Sequence, residues 1–260
     1  MAVVAFESAT RNARLAPKYL QDASGAPRRA DPCSTCTIRS LSICAELDAP
    51  AQDRLRQLNQ TMTLPAHSLL FHEGDEAAHV YTVTSGQMSL SVSMPDGRRQ
   101  ITDFVGPGDF IGLGLDDGER LHDLTAETLT EVHVCRFPRE GFARAMEQTP
   151  QLGRHVLGFA SRRIAAAREQ LLLLGRKSAV ERVASFLLQA ARRNEARGAP
   201  ASPLSLAMTR GEIADYLGLT LETVSRGFSR LRQLGAIRLD GADRVTLPDM
   251  GKLKLLAGGE

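Results

Sequence analysis

Four cysteines are the residues of this chain best equipped for chemistry. Cys33, Cys36 and Cys44 fall within twelve residues in the segment DPCSTCTIRSLSICAEL, and Cys135 stands far away in the apolar stretch HVCRF. Thiolates are soft ligands, and four of them suit an iron–sulfur cluster or a structural zinc. Structural zinc usually draws on two tight pairs, whereas only Cys33 and Cys36 make a C-x-x-C here. A thioredoxin-like pair would need a βαβ setting, which this region lacks. Cys135 taken alone also reads as a small apolar strand residue. Spacing leaves zinc and iron–sulfur open.

A second constellation lies in MTRGEIADYLGLTLETVSRGFSRLRQLGAI. Thr209 and Glu212 form a capping box that opens a short helix, Gly218 ends it, and Thr220 caps the next. Ile213, Ala214, Leu217, Leu219, Val224, Phe228 and Leu231 can pack the two helices together. Glu222, Ser225, Arg226 and Ser229 then share one outer face, at i, i+3, i+4 and i+7. The following IRLDGADRVTL turns at Gly241 between two apolar stretches and supplies a β wing. This is the pattern of a winged helix-turn-helix, whose second helix reads base edges in the major groove. Arg226 has the fork that bonds guanine O6 and N7, Glu222 can accept from a cytosine amino group, and Ser225 reaches a neighbouring base. Arg210, Arg230, Arg232 and Arg238 suit phosphate contacts, which position without specifying. The plainer alternative is a helical pair whose outer face is merely solvated.

The elements that must position these groups follow from periodicity. Residues 1–32 show no apolar repeat and read as a flexible arm. From about 60 to 138, Gly74, Gly86, Gly97 and Gly108 fall 12, 11 and 11 residues apart, with alternating stretches VYTVT, MSLSV and ITDFV between them. Short strands at that turn spacing indicate an antiparallel barrel or sandwich, so residues 33–150 read as a cysteine loop and a β domain. Residues 151–177 form a long helix opened by Pro150. Leu157, Ala160, Ile164, Ala167, Leu171 and Leu174 repeat at 3, 4, 3, 4, 3, the seam of a coiled coil. The seam packs either on its own β domain or on a second copy of the chain. Its length and the flanking Arg154, Arg162, Arg163 and Arg168 favour a parallel homodimer, with Ala160 and Ala167 letting the backbones approach. Residues 178–248 form the winged helix-turn-helix domain, in which a helix near 179–197 and a Gly-, Pro- and Ser-rich loop at 198–205 precede the reading pair, and 249–260 form a tail.

Composition agrees with two folded halves of opposite charge. The 260 residues are 43% hydrophobic and 24% charged, the balance of a globular chain. Residues 1–150 carry 14 basic against 20 acidic side chains, and residues 151–260 carry 18 against 10. A basic C-terminal half is an electrostatic footprint for a polyanion. No stretch is apolar enough for a membrane helix or a secretory leader, so the expectation is a cytoplasmic protein without a membrane partner. No nucleophile–base set or phosphate-binding glycine loop is present, which disfavours an enzyme. His67, His72 and His79 near the first β turns are explained by surface positions.

From about 31 to 247 the chain resembles the CRP/FNR family of bacterial transcription regulators, and within it the oxygen-sensing FNR branch. GDFIG, the long seam helix and TRGEIADYLGLTLETVSR carry the resemblance, and Glu222, Ser225 and Arg226 match the E-x-x-S-R reading pattern of that branch. The resemblance implies an α+β architecture: an N-terminal antiparallel β-roll (jelly-roll-like) sensor domain, a dimerisation helix and a C-terminal winged helix-turn-helix. It implies a homodimer on a palindrome similar to TTGAT-N4-ATCAA, contact with RNA polymerase and activation of low-oxygen genes. Cys33, Cys36, Cys44 and Cys135 match the branch's N-terminal trio and its cysteine at a strand end before a proline, which implies a 4Fe–4S cluster. The seven residues between Cys36 and Cys44 exceed the five of the enteric form and resemble the variant of nitrogen-fixing relatives. Cyclic-nucleotide binders of the family follow FIG with a glutamate, then an Arg-Ser or Arg-Thr pair. Here Leu113 takes the glutamate's place and Leu121 follows Arg120, so no cyclic nucleotide is expected.

Overall fold

The computed structural model describes residues 32–113, 120–241 and 243–258. The arm expected over residues 1–32 lies outside them, Pro32 excepted. The cysteine segment runs through turns and a short 3-10 helix, Arg39–Leu41, into helix α1, Ala49–Leu58. Sequence periodicity did not reveal α1. It exists because Asp48 caps it, accepting from Ala51 N, and because Ala51 and Leu55, one turn apart, bury one face.

Among the described residues, eight strands then build the β domain: β1 (Gln60–Leu64), β2 (Leu69–Phe71), β3 (His79–Ser85), β4 (Met88–Ser93), β5 (Arg99–Val105), β6 (Phe110–Ile111), β7 (Thr125–Thr128) and β8 (Val132–Pro138). They form two four-stranded antiparallel sheets, ordered β1-β8-β3-β6 and β2-β7-β4-β5. Tyr81, Val83, Met88, Leu90, Val132 and Val134 fill the space between them. The expected barrel or sandwich is thus realised as a β-roll of two facing sheets. Each glycine expected at a turn has positive φ. At Gly86 (φ 82°) an added Cβ would stand 2.2 Å from the Glu131 carbonyl oxygen, so only glycine fits.

Two helices follow the last strand, where the sequence pattern places a single long helix at 151–177. Helix α2 (Arg139–Gln148) stops at Thr149, and α3 (Pro150–Arg176) begins at the proline, which turns the residue before it out of the helical region. Leu152 and Val156 of α3 join Ile43, Leu47 and Phe142 in a cluster outside the first sheet. On the opposite side Leu157, Ile164 and Leu171 are 66%, 52% and 72% exposed. The seam is therefore largely uncovered: Leu157 and Leu171 face away, while Ala160, Ile164 and Ala167 line an open cavity against the β domain. Its last position, Leu174, instead packs on the C-terminal core.

Helix α4 (Ala179–Ala196) opens the C-terminal half with a complete Ser178–Glu181 capping box. It is followed by β9 (Leu204–Ser205), α5 (Arg210–Leu217), α6 (Leu221–Gln233), β10 (Arg238–Leu239), β11 (Arg244–Thr246) and α7 (Met250–Leu256). Two elements differ from the sequence reading. The 198–205 loop ends in β9, which pairs with β11 and widens the wing to three strands. The stretch read as a tail, 249–260, contains α7, capped by Asp249 and anchored by the buried Leu253. Elements of two to seven residues are too short for a periodicity signal. The two halves share a core: Ile101, Phe104 and Leu129 of the β domain pack with Phe186, Leu187 and Tyr216.

Candidate DNA interface and cysteine cavity

The helix-turn-helix forms as its sequence dictates. Thr209 accepts from Glu212 N while the Glu212 carboxylate accepts from Thr209 N, closing the capping box of α5. Gly218 ends α5 in the left-handed conformation at φ 59°, ψ 44°. Thr220 caps α6 by accepting from Thr223 N. Val224, Phe228 and Leu231 of α6 are buried against Ile213 and Leu217 of α5. Gly227 lies so close to α4 that an added Cβ would meet Val183 Cγ2 at 2.8 Å.

That packing leaves the reading face outward. Glu222 and Arg226 are exposed, with Ser225 and Ser229 half-buried between them. Arg226 Nη2 donates to Thr223 Oγ1 at 3.3 Å, one turn back, which holds the guanidinium along the helix. Glu222 is held below the usual carboxylate range, chiefly by its own backbone N–H and then by the Thr220 hydroxyl, so it is an acceptor at neutral pH. Arg230 and Arg232, later on the same helix, and Arg238 of β10 are also exposed. Arg210 differs from the simple phosphate contact expected of it. Its guanidinium lies 3.5 Å from the centre of the Phe228 ring and is half-buried, so it also ties the start of α5 to α6.

The four cysteines, up to about a hundred residues apart in sequence, line one cavity of about 420 Å³. On β8, alternate residues face opposite sides: Val132 and Val134 enter the inter-sheet core, while Cys135 packs with the cluster beneath α1. Cys135 lies inside the strand, opposite Thr61 on β1 and Thr82 on β3, and not at its end. The cysteine segment lies over this face. No disulfide joins the four thiols, and all are half-buried, less exposed than a loop position suggests. Burial pushes the Cys44 thiol up to about 11 and the Cys135 thiol up to about 12. Two side chains that sequence reasoning missed also line the cavity. Asn59 donates from Nδ2 to Cys33 Sγ at 3.8 Å. Thr82 is 3% exposed, and its hydroxyl has no hydrogen-bond partner among the described residues. No sequence signal marks either: Thr82 is placed by the pairing of β3 with β8, and Asn59 by the end of α1. Arg39 donates to the Cys33 carbonyl and holds the segment closed.

A thiol-rich pocket with an orphaned buried hydroxyl fits a group with several thiolate ligands and sulfur acceptors. Among the described residues no three His, Cys, Asp or Glu side chains converge closely enough for a single metal ion, His67, His72 and His79 included.

Comparison with known proteins agrees with both halves. A family described as "Cyclic nucleotide-binding domain" matches residues 61–149, and one described as "Crp-like helix-turn-helix domain" matches residues 181–256. The chain is 39% identical to the nitrogen fixation regulation protein FixK of Bradyrhizobium diazoefficiens, over 86% of this chain and 93% of that one. It is 38% identical to the transcriptional activator protein FnrL of Cereibacter sphaeroides, over 88% and 92%. The solved structure of FixK2 from Bradyrhizobium japonicum superposes with a TM-score of 0.70 at 36% identity, covering 76% of this chain and 96% of that one. These relatives are regulators and not enzymes, and the helix-turn-helix and the exposed seam are those of a DNA-binding dimer. On that fold, that reading face and that likeness, the chain belongs to the CRP/FNR family of transcription regulators.

Proposed function

We propose that this regulator responds to oxygen through a 4Fe–4S cluster held by Cys33, Cys36, Cys44 and Cys135, binds a palindrome similar to TTGAT-N4-ATCAA, and activates low-oxygen genes in contact with RNA polymerase. One observation carries the reading: four thiols from two distant segments line a single cavity. When bound, such a group supplies reactivity toward small oxidants that thiols buried at high pKa lack. The chain's own residues do the rest. Cys33, Cys36 and Cys44 would hold such a group together with Cys135, and so would tie their segment to β8. Ile43, next to Cys44, packs with Leu152 and Val156 of α3, and its carbonyl lies 3.2 Å from His155 Nδ1. Slack in that segment therefore reaches α3 beside Leu157, where the second copy docks. A shift there changes how two recognition helices meet half-sites one helical turn apart.

The reading includes no cyclic nucleotide. Arg120 pairs with the exposed Glu140 at 3.2 Å, and Leu113 offers a side chain without a hydroxyl-binding group. The cavity of about 350 Å³ between the β-roll and α3 has mainly apolar walls. Its two arginines, Arg163 and Arg193, are both engaged by Asp103, at 3.4 and 2.7 Å.

Palindrome binding by protein prepared without air, before and after exposure to air, tests the proposal. The expected result is tight binding that weakens in air for the wild type and weak binding throughout for Cys135→Ser. Equal binding in all four samples would leave a DNA-binding regulator whose cysteines are plain thiols or a zinc site.

A further inference from the structure

The last carbonyls of a helix have no partner within it. At the end of α5 they are satisfied by side chains from three other elements. Gln100 of β5 donates its amide to the carbonyls of Asp215 at 2.6 Å and Tyr216 at 3.1 Å. Gln170 of α3 donates to the same Tyr216 carbonyl at 2.7 Å. Arg182 of α4 donates to the Leu217 carbonyl at 2.9 Å and, with its other nitrogen, to the Leu174 carbonyl of α3 at 2.8 Å. Around this end, Arg99 of β5 pairs with Asp215 at 2.8 Å, and Asp103 of β5 joins Arg163 of α3 to Arg193 of α4. The sensor sheet and the dimer helix thus grip the first helix of the DNA-reading pair from two sides.

From this we infer that Gln100 and Gln170 are positioning residues for DNA recognition: they fix the tilt of the reading head against the dimer axis, and so set which half-site spacing the dimer accepts. The inference rests on the DNA-binding, dimeric reading of the chain but not on any cluster. Helices α5 and α6 move as one body, locked by Val224, Phe228 and the Arg210–Phe228 stack. Helix α6 has 13 residues, an arm of about 20 Å at ~1.5 Å rise per residue. A tilt of roughly 10° moves its far end by about 3.5 Å, one base-pair step of ~3.4 Å.

The test uses full-length dimer and three duplexes whose TTGAT and ATCAA half-sites are separated by three, four or five base pairs. Gln100→Met and Gln170→Met keep side-chain length and remove the donors. Because both amides serve the Tyr216 carbonyl, each single variant should keep the wild-type preference among spacers within about threefold. The double variant should narrow that preference by about tenfold or more. Circular dichroism confirms that it remains folded. A double variant that keeps the wild-type ratio among spacers, whatever its absolute affinity, would overturn the inference, as would a wild type indifferent to spacer length. Arg226→Ala separates this from the base-reading assignment: that assignment fails if Arg226→Ala binds all three duplexes as tightly as wild type.

Discussion

The side-chain amide of Asn59 donates to Cys33 Sγ at 3.8 Å, bridging 26 residues between the end of α1 and the start of the cysteine segment. Asn59 is also the residue at which the chain leaves α1 to enter β1, the strand paired with Cys135. One side chain therefore fixes the trio's first thiol relative to the strand that carries the fourth. Such hydrogen bonds to ligand sulfur orient ligands and tune a bound group.

Thr82, opposite Cys135 on β3, gives this arrangement a signed test. Its buried hydroxyl has no partner among the described residues. Removing an unsatisfied buried group relieves a penalty of about 1–3 kcal/mol, whereas removing a used one costs stability. Thr82→Val, nearly isosteric, should raise the melting temperature of metal-free protein and lower the iron retained by protein prepared without air. Thermal melts and iron analysis on the same pair of samples check it. A variant less stable without metal contradicts the orphan assignment.

The thiols predict a pH dependence of the metal-free protein. Folded Cys44 and Cys135 ionise at about 11 and about 12, above the ordinary 9.0 of a thiol. The folded state thus holds these protons more tightly than the unfolded chain. Their stabilising contribution is full below pH 9 and is lost as pH rises toward 11–12. Urea midpoints should fall across that window, and Cys44→Ala with Cys135→Ala should flatten the fall.

On the DNA face, loss of the Arg226 fork should cost roughly 1–3 kcal/mol and relax base preference at one position of each half-site. Arg230→Ala should instead weaken all sequences alike and reduce the slope of log affinity against log salt by about 1 per site. Binding isotherms at several salt concentrations distinguish the two patterns.

The exposed seam predicts an equally direct result. Ile164 is 52% exposed in the single chain and lies midway between Leu157 and Leu171. Ile164→Glu would bury a carboxylate in the paired seam, so sedimentation should show monomers where the wild type is dimeric. Its secondary structure should be unchanged, since in the monomer the position faces water.

The parts of this fold that were legible in the sequence are those specified by neighbouring residues. Thr209 with Glu212, Gly218 and Thr220 define the reading unit within twelve residues, and the turn glycines mark the β-roll. What was not legible depends on distant partners. Strand β9 exists because β11 pairs with it, and Leu174 left the seam because the DNA-reading half packs beneath α3. Thr82 and Asn59 entered the site only once β3, β8 and α1 were stacked. The cysteines themselves were conspicuous by type, but the cavity that gathers them was set by register on β8.

Iron and acid-labile sulfide counted per chain, on protein purified without air, decide whether Cys33, Cys36, Cys44 and Cys135 hold a cluster. With no tryptophan and three tyrosines, protein concentration must come from amino-acid analysis. The expected result is about four iron and four sulfide per chain, with a brown absorption that bleaches in air. Zinc, or no metal with four titratable thiols, would contradict it.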